Sequence, residues 1–208
     1  MKQWPKIRST KDALIFSLPY IKGKALDAGG GSVAKYRSII LSNASEYVCL
    51  DGQAGGYTDV VGDVLNMPFK DESFDTVVCN QVLEHVPGPF KLIEEAWRVL
   101  KPGSYFICTA PFLEPVHADP GDYFRYTQQG LEEICKKQGF SIVHSQTYGG
   151  FFTVMYSFLK FTWLSPYKKL SINQKRVSRL LGKIFFFLDR LTPPGIIYSD
   201  VLIIAKKK

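Results

Sequence analysis

Short apolar runs alternate along this chain with stretches whose apolar residues recur at helical spacing, the pattern of β-α-β units that build a mostly parallel sheet. Strands are predicted at Lys24–Ala28, Tyr47–Asp51, near Asp59–Val61, and at Phe74–Asn80, Ser104–Ala110 and Phe140–Thr147. Helices are predicted between them at Val33–Asn43, Pro89–Leu100 and Thr127–Gln138. Lys101-Pro102-Gly103 is expected to stop the second of these helices and turn the chain into the next strand. After Tyr148-Gly149-Gly150 the pattern changes to two helices, Phe151–Leu164 and Ile172–Leu191, broken by Ser165-Pro166. Thr192-Pro193-Pro194-Gly195 and a last strand, Ile197–Ala205, follow. The expected fold is therefore a single α/β domain over residues 1–208, a doubly wound, mostly parallel seven-stranded Rossmann-like sheet. Its helical pair, residues 151–195, is an appendage inserted between the last two strands.

With 208 residues, 46% hydrophobic and 22% charged, the chain excludes disordered and fibrous classes. Cys49, Cys79, Cys108 and Cys135 form no C-x-x-C pair and no histidines cluster with them, so reduced core cysteines and no metal are expected. The N-terminus lacks an apolar core and a small-residue cleavage site, and no stretch reaches eighteen uncharged apolar residues. A cytoplasmic protein is expected on these grounds. The net charge of +7 is unevenly spread: residues 1–150 hold 15 Lys and Arg against 17 Asp and Glu, whereas residues 151–208 hold 11 against 2. The same last quarter carries 11 of the 29 aromatic residues, a pairing that suits an anionic membrane surface, peripheral at the inner face, at least as well as nucleic acid. A helical cover over the sheet edge with solvated lysines accounts for it equally well.

The strongest local motif is Ala25-Leu26-Asp27-Ala28-Gly29-Gly30-Gly31-Ser32, an apolar strand that ends in an acid and runs into glycines opening a helix. Gly29, Gly31 and Ala34 also satisfy the dinucleotide pattern G-x-G-x-x-G/A, and Asp51 could hold a ribose under either reading. Asp27 would repel a pyrophosphate but suits the ammonium of an amino-acid moiety. Asp63, in Gly62-Asp63-Val64-Leu65-Asn66-Met67-Pro68-Phe69, is placed to accept from an adenine amine.

ALDAGGG, VCLDGQ, GDVLNMPFKDESFDTVVCNQVLEHV and EEAWRVLKPGS resemble the successive motifs of class I S-adenosylmethionine-dependent methyltransferases, most closely the group labelled methyltransferase domain type 11. The resemblance covers roughly residues 20–147, and Val33 stands where the fuller family pattern has a third glycine. It implies that Asp27, Gly29 and Gly31 cradle the methionine part of S-adenosyl-L-methionine. It further implies that Asp51, with Gly52, meets the ribose, that Asp63 and Val64 hold the adenine, and that Asn80 and Gln81 lie beside the methionine and the methyl group. Glu84-His85 continues the motif and reads as a hydrogen-bonding pair at a helix start rather than as catalytic machinery.

The segment Ala110–Thr127 should arch over the crevice as a loop before a helix capped by Thr127. It is similar to the H-x-x-P-x-D-[YF]-x-R-[YF]-T signature of methyltransferase-like proteins encoded with polysaccharide and lipid-linked glycan biosynthesis. His117 is the candidate general base. Asp122, Tyr123, Arg125 and Tyr126 are candidate acceptor contacts, unless Asp122 and Arg125 merely pair and the tyrosines pack beneath the helix. The expected activity is methyl transfer to a small or lipid-linked acceptor, a sugar or glycan foremost. A quinone-like lipid acceptor, a cofactor-binding module without turnover and a nicotinamide-dependent oxidoreductase are the alternatives. Nucleic acid is not expected, since neither an N-P-P-Y motif nor a Pro-Cys nucleophile is present.

Overall fold

The computed structural model describes residues 7–31, 35–118, 120–163, 171–191 and 197–208. Seven strands form one sheet: β1 (Lys24–Ala28), β2 (Glu46–Asp51), β3 (Val60–Val61), β4 (Phe74–Asn80), β5 (Leu100–Pro111), β6 (Phe140–Tyr148) and β7 (Asp200–Lys207), in the order β3-β2-β1-β4-β5-β7-β6. The first five strands pair in parallel, and β7 runs antiparallel between β5 and β6. The order reverses between β1 and β4, which opens the crevice where open α/β sheets bind ligands.

Helices cover both faces, as near-continuous apolar strands require. On one face α3 (Pro89–Val99) and α4 (Gln128–Lys137) bury Leu92, Ile93, Ala96, Leu131 and Cys135 against Val77, Phe106 and Ile203. On the other, α1 (Thr10–Ser17) and α2 (Arg37–Ile40) set Ala13, Leu14 and Ile40 against Ala25, Val78 and Ile204. Thr127 caps α4 as expected, its hydroxyl accepting from the Gly130 amide. All four cysteines are free and buried.

Several elements differ from the sequence expectation, and α1 has no counterpart in it. The helix predicted at Val33–Asn43 is reduced to α2, because Ser42 Oγ turns back to the Ile39 carbonyl and Asn43 Nδ2 reaches the Leu18 carbonyl. Val33 and Ala34 lie outside the described residues, as do Ser165-Pro166 and Thr192-Pro193-Pro194-Gly195. α3 stops at Val99, yet Lys101-Pro102-Gly103 belongs to β5, where a register shift between Phe74 and Thr76 and a φ of +80° at Gly103 absorb the extra residues. β7 begins at Asp200 rather than Ile197 and continues through Lys207.

The inserted pair is α5 (Phe151–Trp163) and α6 (Ile172–Leu191). It is fastened at its start, where the Asp189 carboxylate accepts from the Phe152 and Thr153 amides and the Thr153 hydroxyl. The Tyr156 hydroxyl meanwhile donates to the Ser178 carbonyl.

Candidate functional site

Asp27 ends β1 almost fully buried, and its Oδ2 accepts a 2.6 Å hydrogen bond from the Tyr47 hydroxyl. Burial pushes this carboxyl up to about 6; the Tyr47 bond pulls it down and the Asp51 charge adds to the rise. The glycines that follow are required by geometry. Gly29 has φ +79° and a Cβ there would meet Val82 at 2.6 Å. Gly31 has φ +75° and faces open space. Its amide donates to Asp51 Oδ2 at 2.9 Å, while Asp51 Oδ1 accepts from the Gln53 amide at 2.9 Å, so one carboxylate at the end of β2 fixes the turns after β1 and β2.

Asp63 stands exposed, with Oδ1 accepting from the Leu65 amide in an Asx turn. Its loop is anchored from α3: Glu95 Oε2 accepts from the Met67 amide, and Arg98 donates to the Met67 and Phe69 carbonyls. Gly31, Asp51, Gly52, Asp63, Val64 and Gln81 line one cleft of about 650 Å³. Asp27, Gly29, Asn80, Gln81 and His117 line a second of about 500 Å³, and the two share Gly29 and Gln81. Every residue that the resemblance assigned to the cofactor thus borders one of two adjoining clefts at the sheet's switch point.

Asn80 closes β4, and Gln81 follows it in an unusual conformation. Gln81 has φ +58°, a left-handed backbone rare for a side chain of this kind, and its Nε2 donates to Asp200 Oδ1 at 3.0 Å. Asn80 Oδ1 accepts from the Thr109 hydroxyl, whereas its buried Nδ2 has no hydrogen-bond partner among the described residues. Asn80 as a residue borders the second cleft.

The second cleft contains groups that the sequence reading had not singled out. Asp200 is pushed up to about 7 by burial, with the Ser199 and Gln81 bonds pulling down and Glu114 adding to the rise. Its place in the cleft follows from topology: β7 is antiparallel, so its first residue pairs with Pro111 and Tyr148 at the carboxyl ends of β5 and β6. Glu114, raised by burial, accepts from Ser157 Oγ of α5 at 2.7 Å. Ser157, Lys160 and Phe161 of α5 line the cleft with it. The insertion is therefore a wall of the cleft and not an appendage. An acid opening an antiparallel strand was the signal available for Asp200; Ser157 and Lys160 gave none.

The loop Phe112–Thr127 lies over this junction. Asp122 is 2% exposed in its side chain, pairs bidentately with Arg125 and accepts from the His117 amide, and Arg125 holds its carboxyl down at about 2. Arg125 also donates to the Glu114 and Pro115 carbonyls, and buried Tyr126 donates to the Leu83 carbonyl. These three side chains build the loop from within, as mutual pairing and packing predict, and they do not line either cleft. The Tyr123 ring is exposed, and its amide donates to the Glu84 carbonyl. His117 alone of the loop's five named candidates lines the second cleft.

Residues 26–108 match the family model described as Methyltransferase domain. A ubiquinone/menaquinone biosynthesis C-methyltransferase of Bartonella quintana is 28% identical over 146 residues, 60% of this chain and 55% of the relative, so the chain spans about half that protein's length. A SAM-dependent methyltransferase from Archaeoglobus fulgidus superposes with a TM-score of 0.63 at 21% identity, covering 95% of this chain and 92% of that one. The [4+2]-cyclase SpnF superposes at 0.62 with 17% identity over 95% and 80%. The resemblance to class I S-adenosylmethionine-dependent methyltransferases thus holds for the matched segment and for the fold, and the cofactor that goes with them is S-adenosylmethionine.

Proposed function

We propose that this chain transfers a methyl group from S-adenosylmethionine to a hydroxyl-bearing acceptor, a sugar or lipid-linked glycan. The observation that carries the reading is the pair of adjoining clefts. One holds the glycines and the acids suited to ribose and adenine, and the other is lined by Asp27 and Asn80 toward the methionine end and by Glu114, His117, Lys160 and Asp200, polar groups suited to a polyhydroxyl ligand. A relative named for ubiquinone and menaquinone biosynthesis favours a quinone-like lipid as the second reading.

The residues fit the cofactor. Asp27 offers a carboxylate to its ammonium. Each Asp51 oxygen accepts one amide and keeps a lone pair for a ribose hydroxyl. Asp63 and Val64 flank the place of the adenine, and Gly52 leaves open space beside the ribose. When bound, the cofactor supplies an electrophilic sulfonium methyl. The protein's contribution is alignment, since holding donor and acceptor at attack distance supplies about 7–11 kcal/mol of the barrier. His117 directs Nδ1–H to the Pro115 carbonyl at 2.9 Å, which leaves Nε2 with the lone pair that takes the acceptor's proton. Asp122, Arg125 and Tyr126 hold the loop that carries His117, and Tyr123 offers an exposed ring to the acceptor.

Calorimetry with S-adenosylhomocysteine tests the reading, with one site per chain expected; absence of binding overturns it. The pH dependence of that binding has a defined sign. Asp27 holds its proton up to about pH 6 in the empty protein, and an ammonium beside it favours the ionised form. Affinity therefore falls as pH drops through 6, approaching about tenfold per unit, with a proton released on binding. The empty chain behaves oppositely. Between about pH 4 and 6 its folded form binds more protons than the unfolded chain, so its stability falls as pH rises across that window. Titrations from pH 5 to 8 in buffers of different ionisation enthalpy measure both effects, and an affinity that stays flat removes Asp27 from the ammonium site.

The insertion bears on the acceptor's source. Along α6, Val177, Leu180, Leu181, Ile184, Phe187 and Leu191 form an exposed apolar stripe at helical spacing, and Phe151, Met155 and Phe158 form another on α5. Arg176, Arg179 and Lys183 belong to the same helix as the first stripe, and no helix among the described residues is long and apolar enough to cross a membrane. Both stripes suit an anionic membrane surface beside the cleft wall. The chain is expected to float with phosphatidylserine vesicles at low salt and to be released at high salt; no flotation at low salt defeats this placement.

A further inference from the structure

Glu84 and His85 leave β4 in the 3-10 turn Leu83–His85, and His117 reaches them from the overlying loop, one ligand atom of each lying within 4.8 Å of the others. Glu84 is 0% exposed, and neither carboxylate oxygen has a hydrogen-bond partner of ordinary geometry among the described residues. His85 Nδ1 donates to the Gly121 carbonyl at 2.6 Å, as His117 Nδ1 does to the Pro115 carbonyl. Both imidazoles therefore keep the Nε2 lone pair, in the tautomer and ring setting that metal-bound histidines take from their outer-shell partners. Glu84 Oε1 and His85 Nε2 face each other at 3.6 Å. Two ligands of one tetrahedral ion with bonds of 2.0–2.1 Å lie roughly 3.4 Å apart.

We propose that Glu84, His85 and His117 form a site for a divalent ion of the zinc class, bound through two imidazole nitrogens and one carboxylate oxygen. This donor set is one that catalytic zinc uses while keeping a position open. Two ligands belong to the exit of β4 and the third to the loop, so the ion fastens the loop across the junction. His85 lines the cofactor cleft and His117 the acceptor cleft. An ion held by both histidines therefore lies between the two linings, and the catalytic part of the proposal turns its open position toward an acceptor hydroxyl. There the hydroxyl's O–H bond breaks, its oxygen binds the ion and the proton passes to water. In the loaded chain this replaces proton transfer to His117, whose lone pair is spent on the ion. The catalytic part rests on the methyl-transfer reading, whereas the binding site does not. The proposal departs from the expectation of no metal, which rested on spacing along the chain, because the third ligand is brought in only by folding.

The test uses the full chain stripped by chelator and titrated with Co²⁺, followed by visible absorption and calorimetry without any nucleoside present. One ion per chain with a ligand-field band is expected, competed away by Zn²⁺. His117→Ala, at a partly exposed position, and Glu84→Gln, which keeps the volume, should each weaken binding at least tenfold while circular dichroism shows folded protein. A stripped chain that takes up neither ion, or a His117→Ala chain that binds as tightly as the parent, overturns the site. S-adenosylhomocysteine binding measured in parallel separates the two proposals: its loss with ion uptake intact sinks the methyl-transfer reading alone, and the converse sinks the metal site alone.

Discussion

Replacing Arg98 by alanine is expected to cost about 3–5 kcal/mol of stability, roughly 6–20 °C in Tm for a chain of this size. Arg98 donates Nε and Nη2 to the two Glu95 oxygens at 2.9 and 2.7 Å, and it reaches the Met67 and Phe69 carbonyls and the Asp71 carboxylate as well. Glu95 is buried, so removal of the guanidinium leaves a carboxylate without its counter-charge beneath the loop that presents Asp63 and Val64. Arg98 holds the Glu95 carboxyl below its usual range, and that stabilisation is lost as pH falls through its folded value. The gap between parent and variant should therefore narrow in acid, which denaturant melts at pH 7 and pH 4 will measure. Because the fork geometry spans several acceptors, Arg98→Lys should recover only part of the loss. A variant as stable as the parent would mean that the anchor lies elsewhere.

The second large effect is expected at Asp51. Asp51→Ala should weaken S-adenosylhomocysteine binding about tenfold to a hundredfold, the worth of one or two charge-assisted hydrogen bonds. Two losses combine: the contact to the ribose, and the bond that holds the Gly31 amide in its positive-φ turn. Asp51→Asn separates them, since its amide oxygen can still accept from Gly31 while the charge is gone. Calorimetry at pH 7.5 reads both variants, and unchanged affinity in Asp51→Ala takes this residue out of the site.

The sheet was legible because buried parallel strands are written as continuous apolar runs, and the cofactor side because its acids and glycines follow strand ends in fixed order. Local competition was harder to read. α1 is short and weakly amphipathic, and the helix expected through Asn43 ends early because Ser42 and Asn43 spend their side chains on backbone carbonyls. The acceptor side was opaque for a different reason. Glu114 takes its meaning from Ser157, Asp200 from Gln81, and Glu84 from His117, pairs that no local pattern joins. Within the loop the sequence offered two outcomes for Asp122 and Arg125. Burial decides for the ion pair, because a carboxylate that is 2% exposed needs its cation at hand.

The two ends of the inserted helical pair meet at one corner. Ser199 donates its amide to the Tyr148 and Gly149 carbonyls, and Asp200 sits opposite Tyr148 in the adjoining ladder. Such a closed neck makes residues 150–198 a cassette: it can be grafted, lengthened or exchanged while the strands on either side keep their register. Because that cassette supplies one wall of the cleft that Asp27, His117 and Asp200 also line, the proposed reading makes it the place where the choice of acceptor is retuned with the sheet left intact.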